Sequence, residues 1–206
     1  MMTKDLEQKV LQLAHYIESK HFEPITQRTP YFHMGATITD SILQAGINYE
    51  NVVYPRIYKL LSLFPEYKTT SDFIILMQTI PLRELIVWNN ERKLDLIKQL
   101  SWILYNMGIE NERQLAVWIE KSGNTEYLLS IKGIGPKTVD YLKMLSGCQS
   151  IAIDRHLFQF LRLANVFTTS YQEANTLYHQ AANMLRMSDY ELDRKIWLYM
   201  TKAWAK

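Results

Sequence analysis

Lys137 and Asp154 are the residues from which chemistry could start. Lys137 stands in Lys132-Gly133-Ile134-Gly135-Pro136-Lys137-Thr138-Val139, directly after the apolar stretch Leu128-Leu129-Ser130-Ile131. Asp154 follows seventeen positions later, at the end of Ser150-Ile151-Ala152-Ile153-Asp154. Two glycines in a turn permit positive φ and remove side chains, so backbone N–H groups can approach a ligand closely. Pro136 suits the first turn of a helix, whose positive end favours a phosphate oxygen, and Lys132 and Lys137 add charge of the right sign. An amine is also a nucleophile once it loses its proton. With an ordinary pKa of about 10.4 lysine rarely does so at neutral pH, but a helix start and a partly apolar hairpin both disfavour the cation. Asp154 has the position of an N-cap for a helix beginning at Arg155, where backbone N–H groups keep a carboxylate ionised. Such a carboxylate can help a neighbouring amine lose its proton and can stabilise positive charge developing on a sugar. A plainer account stands beside this one. The glycines then serve only the geometry of a corner clamped by Ile131 and Ile134, Lys137 is a phosphate contact and Asp154 a helix cap.

The elements that must position these residues are helices. The 206 residues include only seven Gly and six Pro, while helix-forming residues abound, which argues for an all-α protein and against a turn-rich β architecture. Apolar residues at Leu6, Val10, Leu13, Ala14 and Ile17 predict a helix from Lys4 to His21 behind a Thr3 cap. Further apolar segments centre on Ile38, Ile42 and Leu43, and, after a break at Gly46-Ile47-Asn48, on Val53, Ile57, Leu60 and Leu61. Ser71 can cap a helix from Asp72 to Thr79, Pro81 fits the start of a short one, and Asn90 can cap a long one to Met107-Gly108. Helices are expected over Glu112 to Lys121 and Thr125 to Ile131, from Pro136 to Ser146, and near Arg155 to Asn165, Tyr171 to Arg186 and Tyr190 to Ala203. The chain has no internal repeat, low-complexity tract or obvious linker.

Composition removes several function classes. The single cysteine, Cys148, makes no internal disulfide and cannot alone hold zinc or an iron–sulfur cluster. No apolar run approaches the roughly 20 residues that span a bilayer, and the charged start of the chain does not look like a secretory signal, so no membrane association and a cytoplasmic location are expected. Net charge is +2. Between Lys132 and Arg162 five basic residues face two acidic ones, a local +3, whereas the remainder of the chain has 18 basic and 19 acidic residues. The basic excess therefore lies around the hairpin.

A hairpin bearing a lysine, followed by an apolar segment ending in aspartate, resembles the helix-hairpin-helix/Gly-Pro-Asp (HhH-GPD) superfamily of DNA glycosylases over about Leu128 to Leu161. Lys137 matches the catalytic lysine of the endonuclease III-like and 8-oxoguanine glycosylase-like members, and Asp154 their aspartate. Members that only excise the base carry another residue at the lysine position. A fainter likeness covers Ser41-Ile42-Leu43-Gln44-Ala45-Gly46, similar to the endonuclease III segment whose glutamine fills the space left by an extruded base. The resemblance implies two packed helical lobes with DNA in the cleft between them: residues 31–147 as the central lobe, and 1–30 with 148–206 as the second. It implies binding of double-stranded DNA carrying a damaged base or an abasic site, excision of the base, and strand cleavage by β-elimination from a Schiff base on Lys137. DNA binding would associate the protein with the nucleoid, and a monomer is expected.

The resemblance also suggests roles for other residues. Lys132, Gly133, Ile134, Gly135 and Thr138 would hold the DNA backbone, and a monovalent cation on the hairpin carbonyls is compatible with it. His156 would touch a phosphate or the surroundings of Asp154, or be an ordinary core or surface histidine. Asp140, one turn beyond Lys137, would tune its charge or pair with Lys143. Gln44 is either a gap-filling wedge or a polar residue near a helix end. Trp88-Asn89-Asn90 precedes a long helix where the family presents residues to the opposite strand; otherwise Trp88 anchors in the core and Asn90 caps. The chain departs from many endonuclease III-like proteins in lacking the four-cysteine cluster loop, which leaves the lesion undefined. Two alternatives remain open: base excision by water activated at Asp154, and a non-catalytic DNA-binding module.

Overall fold

The computed structural model describes residues 3–26, 29–44, 46–168 and 170–204, and among them it contains helices and no strand. Twelve α-helices run in the order α1 Lys4–Glu18, α2 Met34–Leu43, α3 Tyr54–Leu63, α4 Thr70–Thr79, α5 Leu82–Leu85, α6 Glu91–Asn106, α7 Glu112–Ile119, α8 Asn124–Ser130, α9 Pro136–Ser146, α10 Arg155–Leu163, α11 Tyr171–Met184 and α12 Asp189–Trp204. A π-helical turn, Tyr49–Val53, leads into α3. The chain divides into two compact units, residues 29–148 with α2 to α9, and residues 1–28 with 149–206, which hold α1 and α10 to α12. Among the described residues no helix is long and apolar enough to cross a membrane.

In the unit of residues 29–148 the organising element is α2, all ten residues of which are buried. Most are apolar or small, as a helix enclosed on every side requires. Its polar groups are then costly unless partnered inside the protein. Thr37 donates to the buried Glu112 carboxylate of α7 (2.7 Å), which also accepts the His33 backbone N–H (2.9 Å). Asp40 accepts from the hydroxyls of Tyr31 (2.7 Å) and Tyr141 (3.2 Å), tying α2 to α9. Ser41 donates to the Ile38 carbonyl (2.8 Å). Around this helix pack Phe73 of α4, Ile97, Leu100 and Leu104 of α6, Leu115 of α7 and Val139 and Leu142 of α9. Each large side chain so enclosed contributes about 1.5–3 kcal/mol over leaving it in water.

The other unit packs the α1 stripe Val10, Leu13, Ala14 and Ile17 against α11, with α10 and α12 completing the core. Phe160 of α10 lies at its centre, ringed by Tyr16, Phe22 and Tyr199 at centroid distances of 5.2, 6.3 and 6.1 Å.

Some helix ends differ from the sequence expectation, for local reasons. Helix α1 stops at Glu18 rather than His21 because Ser19 turns its hydroxyl back onto the Tyr16 carbonyl (2.7 Å) and the Lys20 N–H bonds Ile17 (3.0 Å). Ser71 is not the cap of α4. Thr69 is, through a reciprocal capping box with Asp72, while Ser71 bonds Glu110 by both its hydroxyl and its N–H.

His33 caps α2 with its ring. Nδ1 accepts the Ala36 N–H (3.1 Å), so the neutral ring carries its proton on Nε2, which donates to the Phe64 carbonyl (3.2 Å). Burial holds this imidazole below its ordinary 6.5. The unfolded chain therefore takes up the proton first, and the contribution to stability is complete above about pH 6.5 and lost as the pH falls below it. The urea midpoint of the protein should drop between about pH 7.5 and pH 5.5 by more than that of His33→Asn, which keeps a capping oxygen but has no titrating ring. Parallel pH dependences for the two proteins would exclude His33 as the source.

Candidate functional site

The turn between α8 and α9 is short because its apolar residues face inward. Ile131 and Ile134 are buried with Leu128 and Val139, and the Ile134 N–H bonds the Ile131 carbonyl (2.9 Å). The two glycines differ in what the fold asks of them. Gly133 has φ +105°, and a Cβ there would stand 2.9 Å from Leu96 Cδ1, so local geometry alone demands glycine. Gly135 is extended at φ −106°, and a Cβ would meet nothing within 4 Å. Its missing side chain leaves backbone accessible at the start of α9, an eleven-residue helix that no side chain caps. The carbonyls of Ile131 and Gly135 accept the N–H groups of Ile134 and Val139.

Lys137 is in the first turn of α9 and half-buried, with Lys132 exposed on the turn and Thr138 buried. Tyr141, one turn further along the same face, is bonded to Asp40 of the buried α2, which fixes the rotation of α9. Asp140 pairs with Lys143 at 3.6 Å. Beside the turn opens a concavity of about 240 Å³ lined by Ile42, Asn90, Arg92, Lys93, Leu96, Gly133 and Thr138. Two of its seven lining residues are cationic and none is anionic. Lys93 donates to the carbonyls of Ile42 (3.0 Å) and Leu43 (2.8 Å) at the end of α2. Burial and the charge of Lys137 push its ammonium down to about 8. A larger concavity, about 360 Å³ and lined in part by Phe22, Tyr199 and Lys202, belongs to the other unit. Its lysines are neutralised, Lys195 by Glu191 and Lys202 by Glu23.

Asp154 belongs to the unit of residues 1–28 and 149–206 and is positioned there by an extended segment with few backbone groups left over. The Ala152 N–H bonds Asp193 (3.0 Å), the Ile153 N–H bonds the Tyr171 hydroxyl (3.2 Å), and the Ile151 carbonyl accepts from Asn175 (3.0 Å). Asp154 then caps α10, accepting the N–H groups of His156 (2.7 Å) and Leu157 (3.1 Å) with a single oxygen. The His156 ring is buried and lies edge-on to Trp197, with centroids 6.3 Å apart.

Gln44 ends α2 and is 8% exposed, its Nε2 buried without a hydrogen-bond partner among the described residues. Ala45, its neighbour in the likeness to the endonuclease III segment, lies outside the described residues. Trp88 packs on the core of its unit with Arg56 over its ring at 4.9 Å, Asn89 is exposed, and Asn90 caps α6 through the Lys93 N–H (3.1 Å). The sequence did not single out Lys93 or Arg92. A signal existed, since two cations in the first turn of a helix oppose its dipole. Among the described residues no group of three or more His, Cys, Asp or Glu side chains is arranged to hold a metal ion.

A family model described as a domain of unknown function (DUF8548) matches residues 60–201. No curated protein and no solved structure matches the chain.

Two substitution pairs test the geometry. Gly133→Ala should cost about 1–3 kcal/mol in denaturant unfolding, whereas Gly135→Ala should be neutral or stabilising by up to about 1 kcal/mol. Asp154→Ala should cost about 1 kcal/mol, and Asp154→Asn, which retains a capping oxygen, only a few tenths. A Gly135→Ala variant as damaged as Gly133→Ala would show that the fold requires both glycines.

Proposed function

The chain belongs to the DUF8548 family, a domain of unknown function, and we propose that it is a base-excision-repair DNA glycosylase with associated abasic-site lyase activity. The α8–turn–α9 unit acts as a helix-hairpin-helix grip on the DNA backbone. The observation that carries this is Gly135: the turn glycine that the fold does not need stands two residues before Lys137 at the start of α9. Exposed backbone, a helix start and the cations Lys132, Lys137 and Arg92 together suit a phosphodiester strand.

A base within a duplex must leave the stack before its glycosidic bond can be reached. The neutral amine of Lys137 then attacks C1′ of the sugar, and the bond to the base breaks with its electron pair leaving on the base. Opening of the sugar ring yields a Schiff base. Loss of a C2′ proton expels the 3′ phosphate and cuts the strand. Asp154, held in place by two backbone N–H groups, supplies negative charge to the developing oxocarbenium and accepts a proton.

The test is incubation of the protein with duplexes carrying abasic, thymine glycol and 8-oxoguanine sites in the presence of borohydride. A covalent adduct that disappears in Lys137→Gln is the expected result. Asp154→Asn should abolish excision while retaining DNA binding and near-native stability, and Gly135→Ala should weaken binding without unfolding the protein. Base release with no adduct would replace the lyase by a water mechanism at Asp154. Binding without either reaction would reduce the protein to a DNA-binding module.

A further inference from the structure

Arg194 differs from the other charged residues near the start of α12 in what it rests on. The carboxylates there are each engaged within their own unit: Asp189 by the His179 ring (3.0 Å), Glu191 by Lys195 (2.6 Å) and Asp193 by the Ala152 N–H (3.0 Å). Arg194 instead lies over the Trp197 ring, its Cζ 4.8 Å from the centroid. Among the described residues neither an ion pair nor a hydrogen bond engages its guanidinium. Stacking covers the face of a guanidinium and leaves the N–H donors around its edge. A cation held in this way is partly ordered before a ligand arrives, and its edge matches the paired oxygens of a phosphate.

The neighbourhood is that of Asp154, within the same unit. Asp193, the residue before Arg194, bonds the backbone N–H of Ala152 in the segment that ends at Asp154. Trp197, under Arg194, stands edge-on to the buried His156 ring with centroids 6.3 Å apart, and the His156 N–H bonds the Asp154 carboxylate at 2.7 Å. Arg155, which follows Asp154, is exposed in the first turn of α10 and adds a cation where the helix dipole disfavours one.

We propose that Arg194 binds a phosphodiester group of the DNA strand whose sugar is presented to Asp154, with the guanidinium edge on the phosphate and its face on Trp197. The identity of the strand rests on the glycosylase reading, whereas the phosphate contact is a matter of binding alone. A phosphate held on α12 fixes the strand to the unit that also carries the carboxylate, so one pair of stacked side chains sets the register of the sugar against Asp154. The contact is indifferent to base and lesion, because a phosphate carries neither.

The experiment is equilibrium binding to an abasic-site duplex and to the undamaged duplex, by fluorescence anisotropy over a range of salt, for wild type, Arg194→Gln, Arg194→Lys and Lys195→Gln. Each phosphate contact adds about 0.9 to the fall of log affinity with log salt. Arg194→Gln should therefore lower that slope by about one and weaken binding about tenfold at about 0.1 M salt, on both duplexes. Arg194→Lys should keep the slope and lose less affinity, since an ammonium keeps the charge without the fork. Lys195→Gln removes an adjacent cation already paired with Glu191 and should leave the slope at the wild-type value. An unchanged slope in Arg194→Gln would overturn the proposal, and so would an equal fall in Lys195→Gln, which would trace to net charge instead of a contact. Fluorescence of Trp197, isolated by difference from Trp197→Phe, gives a second reading that needs no Arg194 variant. Duplex should quench it; quenching by inorganic phosphate at the same concentrations would assign the site to the free ion and overturn the DNA contact. The expected change of slope with no borohydride adduct from wild type would refute the lyase and leave the phosphate contact standing. An adduct formed by wild type, with equal binding by Arg194→Gln, would do the reverse, and absence of any DNA binding by wild type would overturn both.

Discussion

Enclosing α2 on all sides is the constraint from which the unit of residues 29–148 follows. A helix of ten residues surrounded by protein has little water to satisfy its ends or its polar side chains, so its ends and the side chains of Thr37 and Asp40 take partners from other elements, while Ser41 bonds back within the helix. His33 closes the amino end with its ring, and Lys93 closes the carboxyl end by reaching across from α6. Glu112 draws α7 onto the first turn, and Asp40 draws α9 onto the last. These bonds are individually modest, about 1 kcal/mol each and more where charge is involved, but leaving any one unmade would expose the full cost of an unpartnered buried group.

Two of those structural bonds also set the surroundings of Lys137. The Tyr141–Asp40 contact holds α9 at one rotation, so the residue one turn earlier on that face is held with it. The Lys93 cap puts a cation in the wall of the concavity that Ile42 of α2 and Gly133 of the α8–α9 turn also line. In the other unit the extended segment ending at Asp154 follows the same logic. Its backbone groups bond side chains of α11 and α12, and the carboxylate at its end caps α10.

Much of this was legible in the residues themselves. Apolar spacing of three and four marks α1, α6 and α10 without any tertiary information, and Asn90, Pro136 and Asp154 carry their capping roles in their chemistry. The turn at Gly133 to Gly135 and the two residues Lys137 and Asp154 stand out by type and spacing alone. Helix ends were less legible where a competing bond decided them, as at Thr69 against Ser71, since either hydroxyl can cap and only the position of Glu110 determines which is drawn elsewhere.

By itself, the sequence determined the all-helical class and the order of its elements, because helix propensity and apolar periodicity act over a few residues. It also determined the pairing of a glycine turn with a lysine and a later aspartate. Only the folded structure decided which glycine is needed, since that depends on the backbone angle the turn imposes, φ +105° at Gly133 and an extended, open position at Gly135. It alone brought Lys93 to the end of α2, some fifty residues away in sequence. Local periodicity carries no information about which helix ends meet.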